Sequence, residues 1–313
     1  MFSGVCKTLS DVERAYKLGV HTITLESPLH TDYLIQTVQK AEIVHEQNAI
    51  LRLTGGNQFG MSQADVAHCI ENLKQISSIH IRGIHFFTGT QKRFKDIEDE
   101  IPFIEQYCDT LKKDFSLDNL EIEYGAGLPY DYFSGKDEKN NYSALEQFCT
   151  LIEHSRYRYV IELGRYVASP CAQYVTKIMD TKGDEKSHYC IIDGGINHIN
   201  YYGQMMGMRV PRVEHIAQVN AFSNQENYTI AGSLCTTADI VLRQLLLTSP
   251  AVGDVLVFND IGAYSITEGI YLFLSHPLPA VLCSDGGKIR VLRKATETYI
   301  LNSYWMAFVF PIC

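Results

Sequence analysis

The stretch Ile79–Gln91, which reads IHIRGIHFFTGTQ, decides the fold of the first half of the chain. Its first nine residues have the length and composition of a buried strand, and the small and polar residues Thr88-Gly89-Thr90-Gln91 end it. Similar apolar runs, each followed by a helical pattern, occur at Val20–Leu25, Ala49–Leu53, Leu120–Tyr124 and Tyr157–Leu163. Strand–helix units that recur about every 30 residues predict a parallel sheet, either open or closed into a barrel.

Several helices of this half have recognisable N-termini. Ser10 with Glu13, and Ser143 with Glu146, have the spacing of a capping box. Two further N-caps are predicted: Thr31 before residues 33–47, and Ser62 before residues 64–76.

After about residue 170 the pattern changes to strands joined by turns. The apolar runs are Ala172–Met179, Tyr189–Ile192, Tyr228–Ile230, Val255–Phe258 and Ala280–Leu292. Within the last run, Ser284-Asp285-Gly286-Gly287 is typical of a hairpin turn. One helix is predicted at Thr236–Leu247. The sequence therefore predicts an α/β domain over residues 1–169 and a mainly β domain over residues 170–313.

Composition and charge exclude several classes of protein. The 313 residues are 46% hydrophobic and 20% charged, the profile of an ordinary globular protein. The net charge of −9 argues against nucleic acid or an anionic membrane as a partner, and no apolar run reaches the roughly 18–20 residues of a transmembrane helix. No signal peptide is expected, because the first residues lead into a polar helix pattern, and a cytoplasmic location is predicted.

The cysteines and histidines form no recognisable pattern. Nine cysteines are scattered singly, and eleven histidines include no H-x-x-x-H or H-E-x-x-H cluster. This distribution predicts reduced thiols and no protein-built metal site.

Candidate binding residues follow three of the predicted strands. Ligands of parallel α/β folds meet the carboxyl ends of the strands, where Gly125-Ala126-Gly127 and the hydroxyl of Thr90 would surround a phosphate together with the guanidinium of Arg165. A glycine pair after a strand is also a common tight turn, and Tyr130 occupies the position of the third glycine of a dinucleotide fingerprint. Glu162 either pairs with Arg165 or faces a protonated ring nitrogen while Arg165 faces the phosphate.

Six segments stand in a definite order along the chain: GIHFFTGTQ at 83–91, GAG at 125–127, ELGR at 162–165, DGGIN at 193–197, GSLCTTAD at 232–239, and GD at 253–254 with GAY at 262–264. They resemble the motifs G-x-H-x-H-x-G-S-Q, G-G-G, E-P-G-R, D-G-G-M-N, G-P-x-C-x-x-x-D and G-D…G-A-Y of the fold type III pyridoxal-phosphate (PLP) decarboxylases. That family includes diaminopimelate, ornithine and arginine decarboxylases.

The resemblance implies a fold and a cofactor. The fold would be a PLP-binding (β/α)8 barrel of the alanine-racemase type, without its first two strands, followed by a C-terminal β domain. Glu162 would pair with the pyridine N–H of PLP, so that the ring accepts the electron pair left by departing CO2. The other cofactor contacts implied are His85, Phe87, Thr90, Gly125, Ala126, Gly127, Arg165 and Tyr264.

The resemblance also implies a homodimer with shared active sites. Cys235, in a catalytic role, and Asp239, in substrate binding, would reach the active site of the neighbouring subunit. Thr236 would contact the substrate. Members that act on basic diamino acids carry an acidic residue at this position, so the neutral Thr236 argues against such substrates.

Two departures from the family pattern bear on function. Phe87 replaces the second His of H-x-H, and a phenyl ring can stack on the cofactor but cannot hydrogen-bond. Segments around Gln58–Met61, Gly89–Gln91 and Ser275–Pro279 look more like an atypical branch, which includes decarboxylases of carrier-protein-tethered glutamate. Whether the substrate is free or tethered stays open.

The largest departure concerns the lysine that forms the Schiff base with PLP. In the family it lies on the first barrel strand, upstream of the segment matched here by Phe2–Thr8, and Lys7 aligns with a different family lysine. Six of eight barrel strands are predicted, the first at Met1–Gly4, and the Schiff-base lysine is absent. The chain is therefore expected to be a fragment, a truncated reading frame or half of a split enzyme.

Three functional readings remain. The first is a PLP-dependent amino-acid decarboxylase, impaired unless a lysine-bearing segment is supplied. The second is a catalytically inactive subunit that binds PLP or a full-length paralogue. The third is an alanine-racemase-like enzyme, against which the Cys235…Asp239 and Glu162…Arg165 motifs argue.

Overall fold

A computed structural model of the protein describes residues 1–54, 56–134, 139–218 and 225–303, with the backbone alone for 139–141. The chain divides into two compact units. The first, called here the barrel unit, comprises 1–130 and 137–166, and the second, the sheet unit, comprises 131–136 and 167–313. No helix within the described ranges is both long and apolar enough to cross a membrane.

The barrel unit contains five parallel strands that lie side by side in chain order. The strands are β1 (Thr22–Leu25), β2 (Gln47–Leu53), β3 (Ile79–Phe87), β4 (Glu121–Gly125) and β5 (Arg158–Ile161). The helices are α1 (Leu9–Lys17), α2 (Pro28–Lys40), α3 (Gln63–Leu73), α4 (Phe94–Phe115), α5 (Lys139–Ile152) and α6 (Gly164–Ala168). The predicted alternation of strands and helices is confirmed, and the bounds of β3 match the prediction. Strands in consecutive order, each followed by a helix, are the arrangement of a (β/α) barrel wall.

The strand predicted at Met1–Gly4 is wrong. Only one parallel bridge joins Phe2 to Ile23, in which Phe2 N donates to the Thr22 carbonyl at 2.8 Å. Gly4 then adopts a φ of 140°, which takes the backbone out of the extended conformation.

Two of the predicted helix starts are corrected. The capping box of α1 is formed by Thr8 and Asp11, not by Ser10 and Glu13, because the helix begins two residues earlier than the Ser10 box requires. Ser27, not Thr31, caps α2, with Pro28 in the first turn.

Of the other two predicted helix starts, one is confirmed and one is wrong. The cap by Ser62 is confirmed, since its hydroxyl accepts a hydrogen bond from Asp65 N at 3.1 Å. Ser143 lies inside α5 and does not begin it.

The sheet unit is built on a six-stranded sheet with the order β10-β9-β7-β6-β11-β8. Its strands are β6 (Tyr174–Gly183), β7 (His188–Ile192), β8 (Val213–Ile216), β9 (Gln225–Ala231), β10 (Ile240–Thr248) and β11 (Val255–Phe258). A separate hairpin joins β12 (Val281–Asp285) to β13 (Lys288–Arg293), and a short helix α7 (Tyr299–Asn302) follows. The hairpin prediction is confirmed: Gly286 and Gly287 have φ of 54° and 81°, as a two-residue turn of type I′ requires.

The helix predicted at Thr236–Leu247 is wrong, because most of this segment is the strand β10. β10 pairs antiparallel with β9, and its register shifts twice, between Ile240 and Leu242 and again between Leu242 and Leu245. These bulges interrupt the alternation of the strand, so that the buried Leu242 and Leu245 fall three residues apart and imitate a helical period.

Candidate active site

The carboxyl ends of three neighbouring strands bring the predicted site residues together. Phe87 at the end of β3 is the register partner of Gly125 at the end of β4. Ile161, the last residue of β5, is paired with Tyr124, so Glu162 follows at the level of Gly125. A ring stacked near Phe87 would therefore meet both the glycine loop and the Glu162 carboxylate.

The glycine loop at 125–127 admits no side chain at either glycine. A Cβ on Gly125 would lie 2.5 Å from the ring of Phe87. Gly127 has a φ of 59°, and a Cβ there would lie 2.2 Å from the carbonyl oxygen of Gly89. Ala126 between them is fully buried. The loop after β3 and the loop after β4 are thus in backbone contact, which is the geometry of a close phosphate cradle.

Two residues hold these loops in place. The side-chain amide of Gln91 accepts from Tyr130 N at 2.5 Å and donates to the Tyr130 carbonyl at 2.8 Å. Lys92 N donates to the Gly127 carbonyl at 2.9 Å, and its buried ammonium reaches Glu100 at 2.6 Å. Burial lowers the pKa of Lys92, although Glu100 opposes that effect. Sequence reasoning missed Lys92, whose position directly after the motif was the available signal.

Glu162 is paired with His85. His85 Nε2 lies 3.1 Å from Glu162 Oε2, and the side chain of His85 is 3% exposed while that of Glu162 is 44% exposed. The hydrogen bond from His85 keeps the pKa of Glu162 below its usual value, although partial burial works against it. The structure thus places an ionised carboxylate at the open side of the strand ends. Whether Glu162 and Arg165 have separate roles toward a ligand stays a prediction.

Glu123 completes a cluster with these two residues. One ligand atom each from His85, Glu123 and Glu162 lies within 4.8 Å of the others, an arrangement that a metal ion could also use. Sequence spacing could not show this cluster, because its members lie on, or directly after, three different strands. The absence of a metal site stays a prediction.

The cluster belongs to a charged layer that crosses the sheet. Arg52 on β2, His85 on β3 and Glu123 on β4 are register partners, and all three are buried. Glu26, directly after β1, forms a buried salt bridge of 2.8 Å with Arg52. Sequence reasoning missed Glu26, Arg52 and Glu123. The signal was a single charged residue in, or directly after, an otherwise apolar run.

Thr90 precedes the glycine loop along the chain and Arg165 follows it, each a few residues after the end of a neighbouring strand. Arg165 lies in the first turn of α6 and is buried, and Thr90 lies half-buried in the loop after β3. Their contact with a phosphate stays a prediction.

The predicted residues of the sheet unit have a different setting. Asp239 is 2% exposed, and its carboxylate accepts hydrogen bonds from Ile196 N at 2.9 Å and Leu234 N at 2.8 Å. It therefore ties the loop at 193–197 to the loop at 232–239 within its own chain. Cys235 is exposed on the second of these loops, and Thr236 beside it is half-buried. Tyr264 is exposed and has a φ of 63°. The roles of these residues toward a neighbouring subunit stay predictions.

Comparison with known families identifies the fold and the chemistry. Residues 1–169 match the pyridoxal-binding domain of the pyridoxal-dependent decarboxylases, and residues 165–262 match the C-terminal sheet domain of the same enzymes. The chain belongs to this family of lyases, and its cofactor is pyridoxal 5′-phosphate. The expected fold, cofactor and class of enzyme are confirmed.

Relatives and solved structures agree with this assignment. The chain is 24% identical over 318 residues to an L-glutamyl-[BtrI acyl-carrier protein] decarboxylase of Niallia circulans, covering 94% of this chain and 74% of the relative. It is 26% identical over 304 residues to a 2-[(L-alanin-3-ylcarbamoyl)methyl]-2-hydroxybutanedioate decarboxylase of Staphylococcus aureus, covering 89% and 75%. The fold is similar to that of diaminopimelate decarboxylase from Helicobacter pylori complexed with L-lysine, with a TM-score of 0.80, 18% identity, and 96% and 77% of the two chains covered.

The residues present fit the cofactor. Both glycines of the loop have no room for a side chain, and the half-exposed Glu162 carboxylate stands level with that loop. PLP bound there would supply the electron sink for decarboxylation.

Proposed function

We propose that the protein decarboxylates an α-amino acid whose side chain ends in a neutral or acylated group, either free or tethered to a carrier protein. The observation that carries the proposal is Thr236, which offers a neutral hydroxyl directly after the exposed Cys235. A distal ammonium left without an anionic partner in a site costs free energy on binding, so lysine-like substrates are disfavoured.

The names of two relatives support this substrate class. One acts on a glutamyl group carried by a protein, and the other on an alanin-3-yl group joined through a carbamoyl link. Neither compound carries an ammonium at the end of the amino-acid side chain: the side chain of a glutamyl group ends in a carboxyl carbon, and the alanin-3-yl group is joined through a carbamoyl nitrogen.

The proposal assigns roles to the predicted residues. Glu162 accepts a hydrogen bond from the pyridine nitrogen and keeps it protonated, and Phe87 stacks on the ring. Gly125, Ala126, Gly127, Thr90, Arg165 and Tyr264 bind the phosphate. Cys235, Thr236 and Asp239 serve the second site of a homodimer.

The substrate class can be tested without turnover. N-phosphopyridoxyl amino acids are stable conjugates of the reduced cofactor with an amino acid, and their binding needs no Schiff-base lysine. By titration calorimetry we expect the conjugate of glutamine to bind at least ~10-fold more tightly than that of lysine, about 1.4 kcal/mol. Thr236→Glu should reverse the order, whereas Thr237→Glu, one residue further along the loop, should leave it unchanged.

Equal or tighter binding of the lysine conjugate to the unaltered chain would contradict the proposed substrate class. Release of CO2 from the same amino acids by the protein, with any coding sequence ahead of Met1 included, then tests catalysis itself. Tight binding of the conjugate without CO2 release would favour the inactive, PLP-binding subunit.

A further inference from the structure

One carboxyl group in the charged layer is surrounded by ion pairs but belongs to none of them. Glu123 is 2% exposed, and among the described residues neither of its oxygens accepts a hydrogen bond. A buried carboxylate without a donor is far less stable than the neutral acid. The charge state of Glu123 therefore depends on the positive charges and hydrogen-bond donors of the neighbouring groups.

The charged and titratable groups that face Glu123 come from four strands. They are Arg52 on β2, Arg82 and His85 on β3, Glu121 on β4, and Glu162 after β5. Met1, which carries the α-ammonium of the chain, lines the cavity beside Glu123.

Each side-chain cation in this set already has another carboxylate as its partner. Arg52 pairs with Glu26 at 2.8 Å. Arg82 pairs with Glu121, also at 2.8 Å. His85 pairs with Glu162 at 3.1 Å. Glu123 is the surplus acidic group of the layer. Besides these groups it faces a cavity of about 120 Å³ whose lining includes Ile50, Gly83 and Val160.

We propose that Glu123 is a protonated carboxylic acid whose O–H donates a hydrogen bond to the Glu162 carboxylate, and that it is a positioning residue for that carboxylate. Burial raises the pKa of Glu123, and the Glu162 carboxylate adds to the effect while His85 opposes it. The inference deepens the proposed function, because it rests on Glu162 as the partner of the pyridine nitrogen.

The arrangement gives Glu162 two neutral or cationic donors and no competing anion. His85 contacts one of its oxygens, and the Glu123 O–H would hold the carboxylate from the interior of the sheet. Two ionised carboxylates within 4.8 Å of each other would instead repel. Without the proton on Glu123, the Glu162 carboxylate would lose a hydrogen bond and its fixed orientation.

Infrared spectroscopy of the full chain tests the protonation directly. The protein is measured at pH 7 in the absence of cofactor and with a chelator present, so that neither PLP nor a metal affects the result. We expect the carbonyl stretch of a protonated carboxylic acid, lost in Glu123→Gln and retained in Glu71→Gln, which alters an exposed carboxylate on α3. Absence of the band, or its persistence in Glu123→Gln, would overturn the inference.

Urea unfolding between pH 5 and 8 gives an independent readout. A neutral Glu123 stabilises the fold fully below the ordinary carboxyl pKa of ~4.3, and this contribution is lost as the pH rises. Relative to the unaltered chain, the folding equilibrium constant of Glu123→Gln should therefore rise with pH, by at most ~10-fold per unit. A fall with rising pH would mean that Glu123 is ionised and paired.

A third measurement separates this inference from the role of Glu162. Pyridoxine 5′-phosphate labelled with ¹⁵N reports through its chemical shift whether the ring nitrogen is protonated. We expect protonation in the unaltered chain and in Glu123→Gln, whose amide still donates to Glu162, and its loss in Glu162→Gln. Protonation that survives in Glu162→Gln would refute the ring-partner role alone. Loss of protonation in Glu123→Gln would refute the neutral donor.

Discussion

One buried carboxyl group of the barrel unit, Glu123, has surroundings opposite to those of Asp239 and Asp254 in the sheet unit. In the sheet unit, Asp239 accepts hydrogen bonds from two backbone N–H groups, and Asp254 accepts from Gln218 N and Ala251 N, both at 2.9 Å. In the barrel unit, the equally buried Glu123 accepts none within the described part of the chain. Hydrogen bonds lower the pKa of Asp254 against the effect of burial, whereas the pKa of Glu123 is raised.

The difference separates two uses of the same chemical group. A carboxylate whose two oxygens each accept a hydrogen bond from a backbone N–H group fixes the loops that carry those donors. A buried carboxyl group without donors is costly to the fold, and such a cost is typical of a functional site. Within their own chain Asp239 and Asp254 hold loops together, whereas the chemical roles proposed for Glu162 and Glu123, and the role of Asp239 toward a neighbouring subunit, stay predictions.

The largest expected effect comes from removing a loop-tying carboxylate. Asp239→Ala leaves the N–H groups of Ile196 and Leu234 without their charged acceptor, and we expect the free energy of unfolding in urea to fall by ~3 kcal/mol. Asp285→Ala, at an exposed carboxylate in the β12–β13 turn of the same unit, should change it by less than ~0.5 kcal/mol. If Asp239→Ala were as stable as Asp285→Ala, the distinction between the two kinds of carboxyl group would fail.

Much of the barrel unit was predictable because its signals are local. Ile79–Phe87 is long, apolar and bounded by small polar residues, and the structure has β3 over the same residues. The gathering of Phe87, Gly125 and Glu162 followed from chain order alone, because the carboxyl ends of neighbouring parallel strands meet at one edge.

The charged layer was not predictable in the same way. The contact of Arg52 with Glu26, and of His85 with Glu162, depends on strand register, and a shift of one residue would turn each side chain to the other face. The error at β10 has a related cause, since its two register shifts disguise a strand as a helix. Pairing between strands, rather than the strands themselves, is what a single sequence leaves undetermined.

A smaller effect, with a pH dependence of known sign, is expected at Asp254. Burial disfavours its ionised form, but the N–H groups of Gln218 and Ala251 and the ring of His215 outweigh this and lower its pKa. The stabilisation is therefore present above the unfolded value of ~3.9 and is lost as the pH falls through the lower folded value. Asp254→Asn should cost ~2 kcal/mol at pH 7, with a difference from the unaltered chain that narrows below about pH 4.

Unfolding in urea at pH 3 to 7 measures this difference. If the difference in unfolding free energy between the unaltered chain and Asp254→Asn increased at low pH, these donors would not be what stabilises the carboxylate. The stability of Glu123→Gln relative to the unaltered chain should rise with pH. Urea unfolding of Glu123→Gln and Asp254→Asn therefore tests both kinds of buried carboxyl group with one method.

The smallest effect on the free energy of unfolding is expected at Gln91, a neutral side chain that links two loops of the barrel unit. Gln91 makes two hydrogen bonds to the backbone of Tyr130, the same number of backbone contacts as Asp239 makes, but without charge. Because neutral hydrogen bonds contribute about half as much as charge-assisted ones, Gln91→Ala should lower the free energy of unfolding by only ~1 kcal/mol, against ~3 kcal/mol for Asp239→Ala. Gln106→Ala, at an exposed position on α4, serves as the control and should lie within ~0.5 kcal/mol of the unaltered chain. The loop after β4 should nevertheless loosen in Gln91→Ala, so that affinity for pyridoxine 5′-phosphate falls more than stability does. If Gln91→Ala lost as much stability as Asp239→Ala, the charge of Asp239 would not explain the difference between the hydrogen bonds of these two residues.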